Sequence, residues 1–444
     1  FRDRYLLPLL PPGIGLEGQA GGAGRLAWTR GGPVTGEAEL TTSAGRLLDT
    51  DEGDQALTVA AFRPSRLRLT ASGEALRGEA VLELAAGDRL EARIQVGRGD
   101  YPPSQAPLSG WIRGSLTDLG AVPLFVPEVA AIDGRAEADL RLAGRLADPQ
   151  VDGRLRLLAE RLELATPGIT VRELTLTAEP VGDGALRLSG RARSGDGELR
   201  LAGTARLGAS ERRLQVRIQG TDFLVFDTLR ARVWVSPDLS VALDGQEVTL
   251  TGEVRVPRAK ITLRELPATG VVAISPDQEI VRPGAEGATA PSPWRVTSRV
   301  RLILGDRVQF EGFGLTSRIA GDLTVIDEPE RPTTATGELR TEEGEYRAYG
   351  QRLTIETGKL LFGGGPITDP GVDVRAVRRP RADVLVGVRA YGPLRQPRFE
   401  LFSEPAMPQA EQLSWLVLGR PLDETSGGEH AALSRAAVIL GMKG

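Results

Sequence analysis

Residues 185–201 read ALRLSGRARSGDGELRL. Leu186 and Leu188 alternate with Arg187 and Ser189, and Leu199 and Leu201 flank Arg200. A period of two is that of a β-strand, whose successive side chains point to opposite faces. Between the two runs stands Gly195-Asp196-Gly197, a combination that supplies positive φ at little cost and closes tight hairpins. The stretch is a hairpin with one apolar and one charged face, and it sets the reading of the whole chain.

The same grammar extends in both directions. Upstream, Leu155/Leu157, Leu162/Leu164 and Leu174/Leu176 alternate, with Arg154, Arg156, Arg161 and Glu163 between and around them. Asp152-Gly153, Gly182-Asp183-Gly184 and Asp244-Gly245 read as turns. Downstream, Ala231, Val233 and Val235 share one parity, followed by Leu239, Val241 and Leu243, then Val248 and Leu250, Val254 and Val256, and Ile261 and Leu263. Val300, Leu302 and Leu304 resume the pattern, and Val384, Val386 and Val388 carry it later. In GELRTEEGEYRAYGQRLTIETGKLLFGGGP (Gly337–Pro366), Leu353, Ile355, Leu360 and Phe362 recur at alternate positions. Short strands joined by tight turns predict antiparallel meanders, about 40 strands at roughly one per 11 residues. Helical signals are few: Asp3–Leu10, Ser115–Val126, Pro408–Leu418 and His430–Leu440. The expected organisation is one β-region over 1–408 and a helical segment over 409–444.

An internal repeat appears at an offset of 116, about 8–40 against 124–156. Pro11, Gly18 and Pro33 correspond to Pro127, Gly134 and Pro149, and Arg25 and Leu26 to Arg141 and Leu142. Repetition on this scale favours an elongated, self-propagating architecture.

Composition narrows the function. Of 444 residues 41 % are hydrophobic but only 5 % aromatic, so the apolar surface is largely Leu, Val, Ala and Ile. The net charge of −4 offers no basic field for nucleic acid. There is no cysteine, which excludes disulfides, thiol catalysis and Cys-based metal sites. No apolar run approaches the ~18 residues of a membrane-spanning helix. The chain opens on Phe1 and is expected to be a piece of a longer protein whose targeting segment lies elsewhere. The one histidine, His430, cannot assemble a triad or a His-based metal site. Gly363-Gly364-Gly365-Pro366 has no following lysine or helix and reads as a turn rather than a phosphate loop. Asp148-Pro149 and Asp369-Pro370 read as turn starters, Glu342-Glu343 with Glu345 as a solvated strand edge. Trp111, Trp234, Trp294 and Trp415 read as packing residues. No carboxylate pair stands out for acid–base work, and no cofactor or metal is called for. What remains is the sheet, with one long apolar face that must either curl into a groove or pack as a sandwich.

Three stretches carry a family resemblance. The first is GTDFLVFDTLRARVWVSPDLSVALDGQEVTLTGEVRVPRAKI (Gly220–Ile261). The second is Gly344-Glu345-Tyr346, Tyr349-Gly350-Gln351, Gly358 and Phe362, followed by Asp369-Pro370. The third is Tyr391-Gly392-Pro393-Leu394, Pro397, Ser403-Glu404-Pro405 and LVLGRPL (Leu416–Leu422). In this order they resemble the C-terminal region of the TamB family, over essentially the whole chain. The resemblance implies an all-β, elongated, curved antiparallel sheet, a U-shaped groove (the β-taco) with a hydrophobic interior and few short helices. It implies a periplasmic location in a diderm bacterium and an N-terminal inner-membrane helix absent from this stretch. It implies a TamA-like outer-membrane barrel with POTRA domains as partner of the C-terminal end, in a family whose pattern continues past Gly444. It supplies no catalytic residue. The expected function is a non-enzymatic conduit for phospholipid acyl chains that also supports outer-membrane protein assembly. The alternatives are a strand-pairing scaffold for nascent outer-membrane proteins and a structural rod with a filled core. The residues expected to line the groove are Leu155, Leu157, Leu174, Leu176, Leu186, Leu188, Leu199, Leu201, Val233, Val241, Leu243, Leu250, Val254, Leu302, Leu304, Leu353, Ile355, Val386 and Val388.

Overall fold

The structure, a computed structural model, describes residues 14–28, 34–49, 57–84, 87–182, 184–208, 212–263, 294–312, 314–348, 351–424, 433–434 and 436. Two compact units divide the chain: Phe1–Val225 with Ser240–Val248, and Phe226–Leu239 with Thr249–Gly444.

The first unit carries β1 (Ile14–Glu17), β2 (Ala20–Ala27), β3 (Thr35–Thr42), β4 (Gly45–Asp49), β5 (Leu57–Phe62), β6 (Arg66–Ala71), β7 (Ala75–Glu83), β8 (Arg89–Gly97), β9 (Leu108–Leu116), helix α1 (Val122–Phe125), β10 (Val129–Arg145), β11 (Asp148–Leu164), β12 (Ile169–Gly182), β13 (Ala185–Ser194), β14 (Gly197–Leu207) and β15 (Arg212–Thr221). β1, β4 and β5 form a small antiparallel sheet of their own. The other strands ladder antiparallel as β2-β3-β6-β7-β8-β9-β10-β11-β12-β13-β14-β15.

Alternation sorts the two faces of this ladder, and ion pairs organise the charged one. Arg93 meets Glu79 at 2.9 Å and Arg113 meets Asp139 at 2.9 Å across neighbouring strands. Trp111 stands between them, with the Arg93 and Arg113 guanidinium carbons 5.8 and 5.2 Å from its ring centre. Each exposed pair contributes little alone; their value lies in register, because a one-residue slip would put every charge on the apolar side.

Helix α1 is seated on the apolar face. Leu119, Ile132 and Ala159 form a buried cluster, with Val122, Leu157 and Leu174 packed against it. Its approach is fixed by Asp88, only 4 % exposed, whose carboxylate accepts hydrogen bonds from the Thr117 amide (2.6 Å), the Thr117 hydroxyl (2.9 Å) and the Asp118 amide (3.3 Å).

β16 (Phe223–Asp227), β17 (Ala231–Asp244) and β18 (Glu247–Leu263) are divided between the two units. The second unit continues with β19 (Arg295–Gly312), β20 (Leu315–Asp327), β21 (Thr334–Ala348), β22 (Gln351–Pro366), β23 (Gly371–Arg381), β24 (Val384–Pro393), β25 (Arg398–Glu404) and helix α2 (Gln409–Val417). β19 to β25 form an antiparallel meander in chain order. Helix α2 packs on β23, β24 and β25. The helix expected from Pro408 is present, with Pro408 itself at the N-cap and the helix beginning at Gln409.

The all-β, antiparallel fold stands as read, but several local expectations are corrected. Among the described residues there are 25 strands rather than about 40, because strands such as β10, β11 and β19 run 17 or 18 residues. Asp152-Gly153 is no turn but lies inside β11, with Gly153 at φ 137°. A Cβ there would sit 2.1 Å from the Asp139 carbonyl oxygen, so the glycine serves close strand approach. Asp148-Pro149 likewise opens β11 rather than a turn. Gly363-Gly364-Gly365-Pro366 ends β22 as strand. Ser115–Val126 yields only α1, since Ser115 and Leu116 belong to β9. Glu342 and Glu343 lie on β21, which is paired on both sides, and both contact Arg318. Gly195 and Gly245, at φ 60° and 61°, do form the expected turns. Asp3–Leu10 lies outside the described residues, as does most of His430–Leu440, whose described residues Leu433, Ser434 and Ala436 are helical.

Candidate functional site

Cross-strand register shows what the apolar parity builds. In the first unit one row of facing residues runs Gly24, Ala38, Leu69, Gly78, Ile94, Gly110, Leu142, Val151 from β2 to β11. A second runs Leu90, Gly114, Ala138, Leu155, Ala178, Leu188, Gly203, Val216 from β8 to β15. A third runs Leu116, Ala136, Leu157, Leu176, Gly190, Leu201, Ile218. Large residues and small ones (Gly, Ala) are interspersed along each row. At Gly190 a Cβ would stand 2.6 Å from Leu176 Cδ2, so the leucine lies across the glycine. The rows form a continuous apolar surface that contains no charged residue.

That surface is open on β2 to β8 and at Leu155 and Leu176, and half-buried or buried over most of β9 to β15. Leu26 is 63 % exposed, Leu76 46 %, Leu155 45 % and Leu69 43 %; Leu40, Leu67, Leu82, Ile94 and Leu176 are exposed as well. A folded sheet ordinarily buries such a face, and contiguous exposed apolar surface marks a binding surface. Alpha-helix α1 covers only the patch around Leu157 and Leu174.

The expected lining residues fall into distinct settings. Leu155, Leu157, Leu174, Leu176, Leu186, Leu188, Leu199 and Leu201 share the apolar face of β11 to β14. Leu155 and Leu176 are open, and Leu186 is buried at 3 % exposure. Val241 and Leu243 on β17 and Leu250 and Val254 on β18 are half-buried, with exposed Ala242 and Thr249 beside them. In the second unit Val233, Leu302 and Leu304 pack against a buried cluster of Val256, Ala259 and Val308.

Leu353, Ile355, Val386 and Val388 have a different fate. They lie beneath α2, where Leu353, Ala376, Val384, Val386, Trp415 and Leu416 form one buried cluster with Ile355 and Val388 packed against it. Val386 is fully buried. The apolar face is thus open on β2 to β8 and at Leu155 and Leu176 in the first unit, and covered at the last strands of the second.

The cover is fastened by an arginine on the apolar parity. Arg378, opposite Val386, donates from Nη1 to the Trp415 carbonyl (3.2 Å) and the Leu416 carbonyl (3.1 Å) at the C-terminal end of α2. A cation there pairs the Leu416 carbonyl, adds to the Gly419 amide on the Trp415 carbonyl, and complements the helix dipole. Burial pushes the Arg378 guanidinium below the usual arginine range. Gly419, at φ 80°, turns the chain where a Cβ would stand 2.6 Å from Arg378 Nη2.

Sequence reading placed a helix at Pro408–Leu418 but not over the apolar face, and it left out the open leucines of β3, β6 and β7. The latter were detectable: residues 66–69 read RLRL, the same alternation. Among the described residues no cluster of acidic side chains and histidine could hold a metal ion, and no helix is long and apolar enough to cross a membrane.

Residues 187–443 match the TamB C-terminal domain family, and residues 2–157 match the TamB N-terminal domain family. A curated relative, the translocation and assembly module subunit TamB of Haemophilus influenzae, is 26 % identical over 327 residues, covering 70 % of this chain and 25 % of that protein. The chain spans about a quarter of the length of this relative.

Proposed function

The chain belongs to the TamB family, and on that premise we propose that it is a stretch of a periplasmic, inner-membrane-anchored subunit of the translocation and assembly module that guides phospholipid acyl chains along its apolar face. The sheet would curl so that this face lines a groove. A TamA-like outer-membrane barrel would engage the C-terminal end.

The observation that carries this reading is the uncovered apolar surface of the first unit, with leucines of neighbouring strands exposed side by side. A 16-carbon chain in water costs on the order of 13 kcal/mol at ~0.8 kcal/mol per methylene. A surface of leucine, alanine and glycine offsets that cost without directional contacts, so a chain can slide along it. A rod with a filled core would have no reason to leave these leucines in water. No reacting groups are required, and the protein acts without catalysis.

A vesicle assay tests it. The protein should speed transfer of a fluorescent phospholipid from donor to acceptor vesicles, and the double variant Leu155→Arg, Leu176→Arg should remove the effect while retaining the β-sheet circular dichroism. Unaltered transfer by the double variant would end the reading. The alternative, a scaffold that pairs with strands of nascent outer-membrane proteins, is favoured by β25, which among the described residues pairs only with β24. Under that reading proline substitutions along β25, not charges on the apolar face, would abolish activity.

A further inference from the structure

The first unit contains an open concavity of about 550 Å³, within the usual range for a small-molecule site. Its apolar lining includes Leu26, Leu69, Leu76, Val96 and Leu146. Its charged lining residues are Arg98 and Glu37. Glu37 stands between Ala38, a member of the first apolar row, and Gly36, which faces Leu26 and Ala71, so its side chain belongs to the opposite face of β3.

Arg98 is different. It follows β8 immediately, beyond the alternation that sends the other arginines of this ladder to the charged face. Its Nη1 donates to the backbone carbonyls of Val34 and Ser72, which fixes the guanidinium. Its Nη2 and Nε have no hydrogen-bond partner among the described residues, and it forms no ion pair there. Tyr101 lines the same concavity, and its hydroxyl likewise has no partner among the described residues. It stands close to Gly97, the neighbour of Arg98, where a Cβ would lie 3.0 Å from the Tyr101 oxygen. A held guanidinium with free donors and a free phenol, both lining one apolar hollow, supply the chemistry that recognises an anionic oxygen cluster on a hydrocarbon chain.

We propose that this concavity is a head-group site for an anionic amphiphile, with the acyl chain against Leu69 and Leu76 and the phosphate or carboxylate on Arg98 and Tyr101. The proposal rests on the lipid reading of the apolar face and adds selectivity to it: the hollow holds amphiphiles with an anionic head in preference to neutral ones of the same chain length.

The test measures binding of decyl phosphate, decanol and inorganic phosphate to the purified chain by calorimetry, below the critical micelle concentration. Decyl phosphate should bind at least about tenfold more tightly than decanol, a factor worth ~1.4 kcal/mol, as one charge-assisted contact supplies. Inorganic phosphate should show no measurable binding. Arg98→Gln should bring decyl phosphate to the level of decanol, and Tyr101→Phe, which leaves the two carbonyl contacts intact, should weaken decyl phosphate alone. Leu76→Asp should weaken both amphiphiles. Equal binding of decyl phosphate and decanol, or inorganic phosphate binding as tightly as decyl phosphate, would overturn the proposal. If neither amphiphile binds while vesicle transfer still depends on Leu155 and Leu176, the head-group site falls and the conduit stands.

Discussion

Replacing Trp415 by alanine should detach helix α2 from the second unit. The indole is 4 % exposed and lies in a cluster with Val386, Leu353, Ala376, Val384 and Leu416. A buried aromatic side chain of this kind removes about 150–250 Å² from water. At ~25 cal/mol per Å² that amounts to about 4–6 kcal/mol, close to the 3–5 kcal/mol typical of Trp→Ala in a core. Helix α2 has only nine residues, too few to be stable away from the sheet. The loss should therefore appear as undocking of the helix, with Arg378 left without its two carbonyl partners. Hydrogen exchange read by mass spectrometry distinguishes the outcomes. Peptides covering Gln409–Val417 should lose protection by two or more orders of magnitude, and those covering Val384–Pro393 by less. Urea unfolding followed by circular dichroism should show a lower midpoint. Unchanged protection at α2 together with an unmoved midpoint would refute the packing argument.

Asp88→Ala should lower stability by about 1–3 kcal/mol, because it removes the buried carboxylate that accepts the three hydrogen bonds fixing the turn from β9 to α1; a urea midpoint equal to wild type would contradict this. Leu250→Arg should abolish function in cells that depend on the protein whereas Thr249→Arg is tolerated, since Leu250 is half-buried on the apolar parity and Thr249 is exposed. Equal phenotypes would show the parity to be wrong. The hydrogen bond from Arg389 holds the Asp373 carboxyl below the usual aspartate range. The stabilisation from that pair is thus complete above the ordinary aspartate pKa and lost as pH falls through the depressed one; carbon-13 carboxyl titration should find Asp373 low in the wild type and returned upward in Arg389→Gln.

The residues explain how far sequence reading reaches. Alternation such as Leu186-Arg187-Leu188 identifies a strand and its faces, because in a sheet with one wet side the pattern has a single solution. Strand ends were less legible. An Asp-Gly pair fits a hairpin turn, yet Gly153 uses its positive φ inside β11. Local composition cannot separate these uses, since the partner strand decides. The residues read as lining share one parity in β11 to β14, but coverage was not legible. That Leu155 stands open while Val386 is sealed depends on α2, more than 20 residues after Val386 in sequence. Arg378 was the available hint, a charge on an apolar parity that needed a partner.

The central claim is that the uncovered apolar face carries lipid, and site-specific photo-crosslinking in intact cells tests it most directly. A photoreactive residue at Leu155 or Leu176 should yield phospholipid adducts, identified by mass spectrometry. Their strand neighbours Arg156 and Thr177, one residue along and on the other face, should yield none. Val386, sealed under α2, should also remain silent. Lipid adducts at all four positions of β11 and β12, or polypeptide adducts alone at Leu155 and Leu176, would contradict the account.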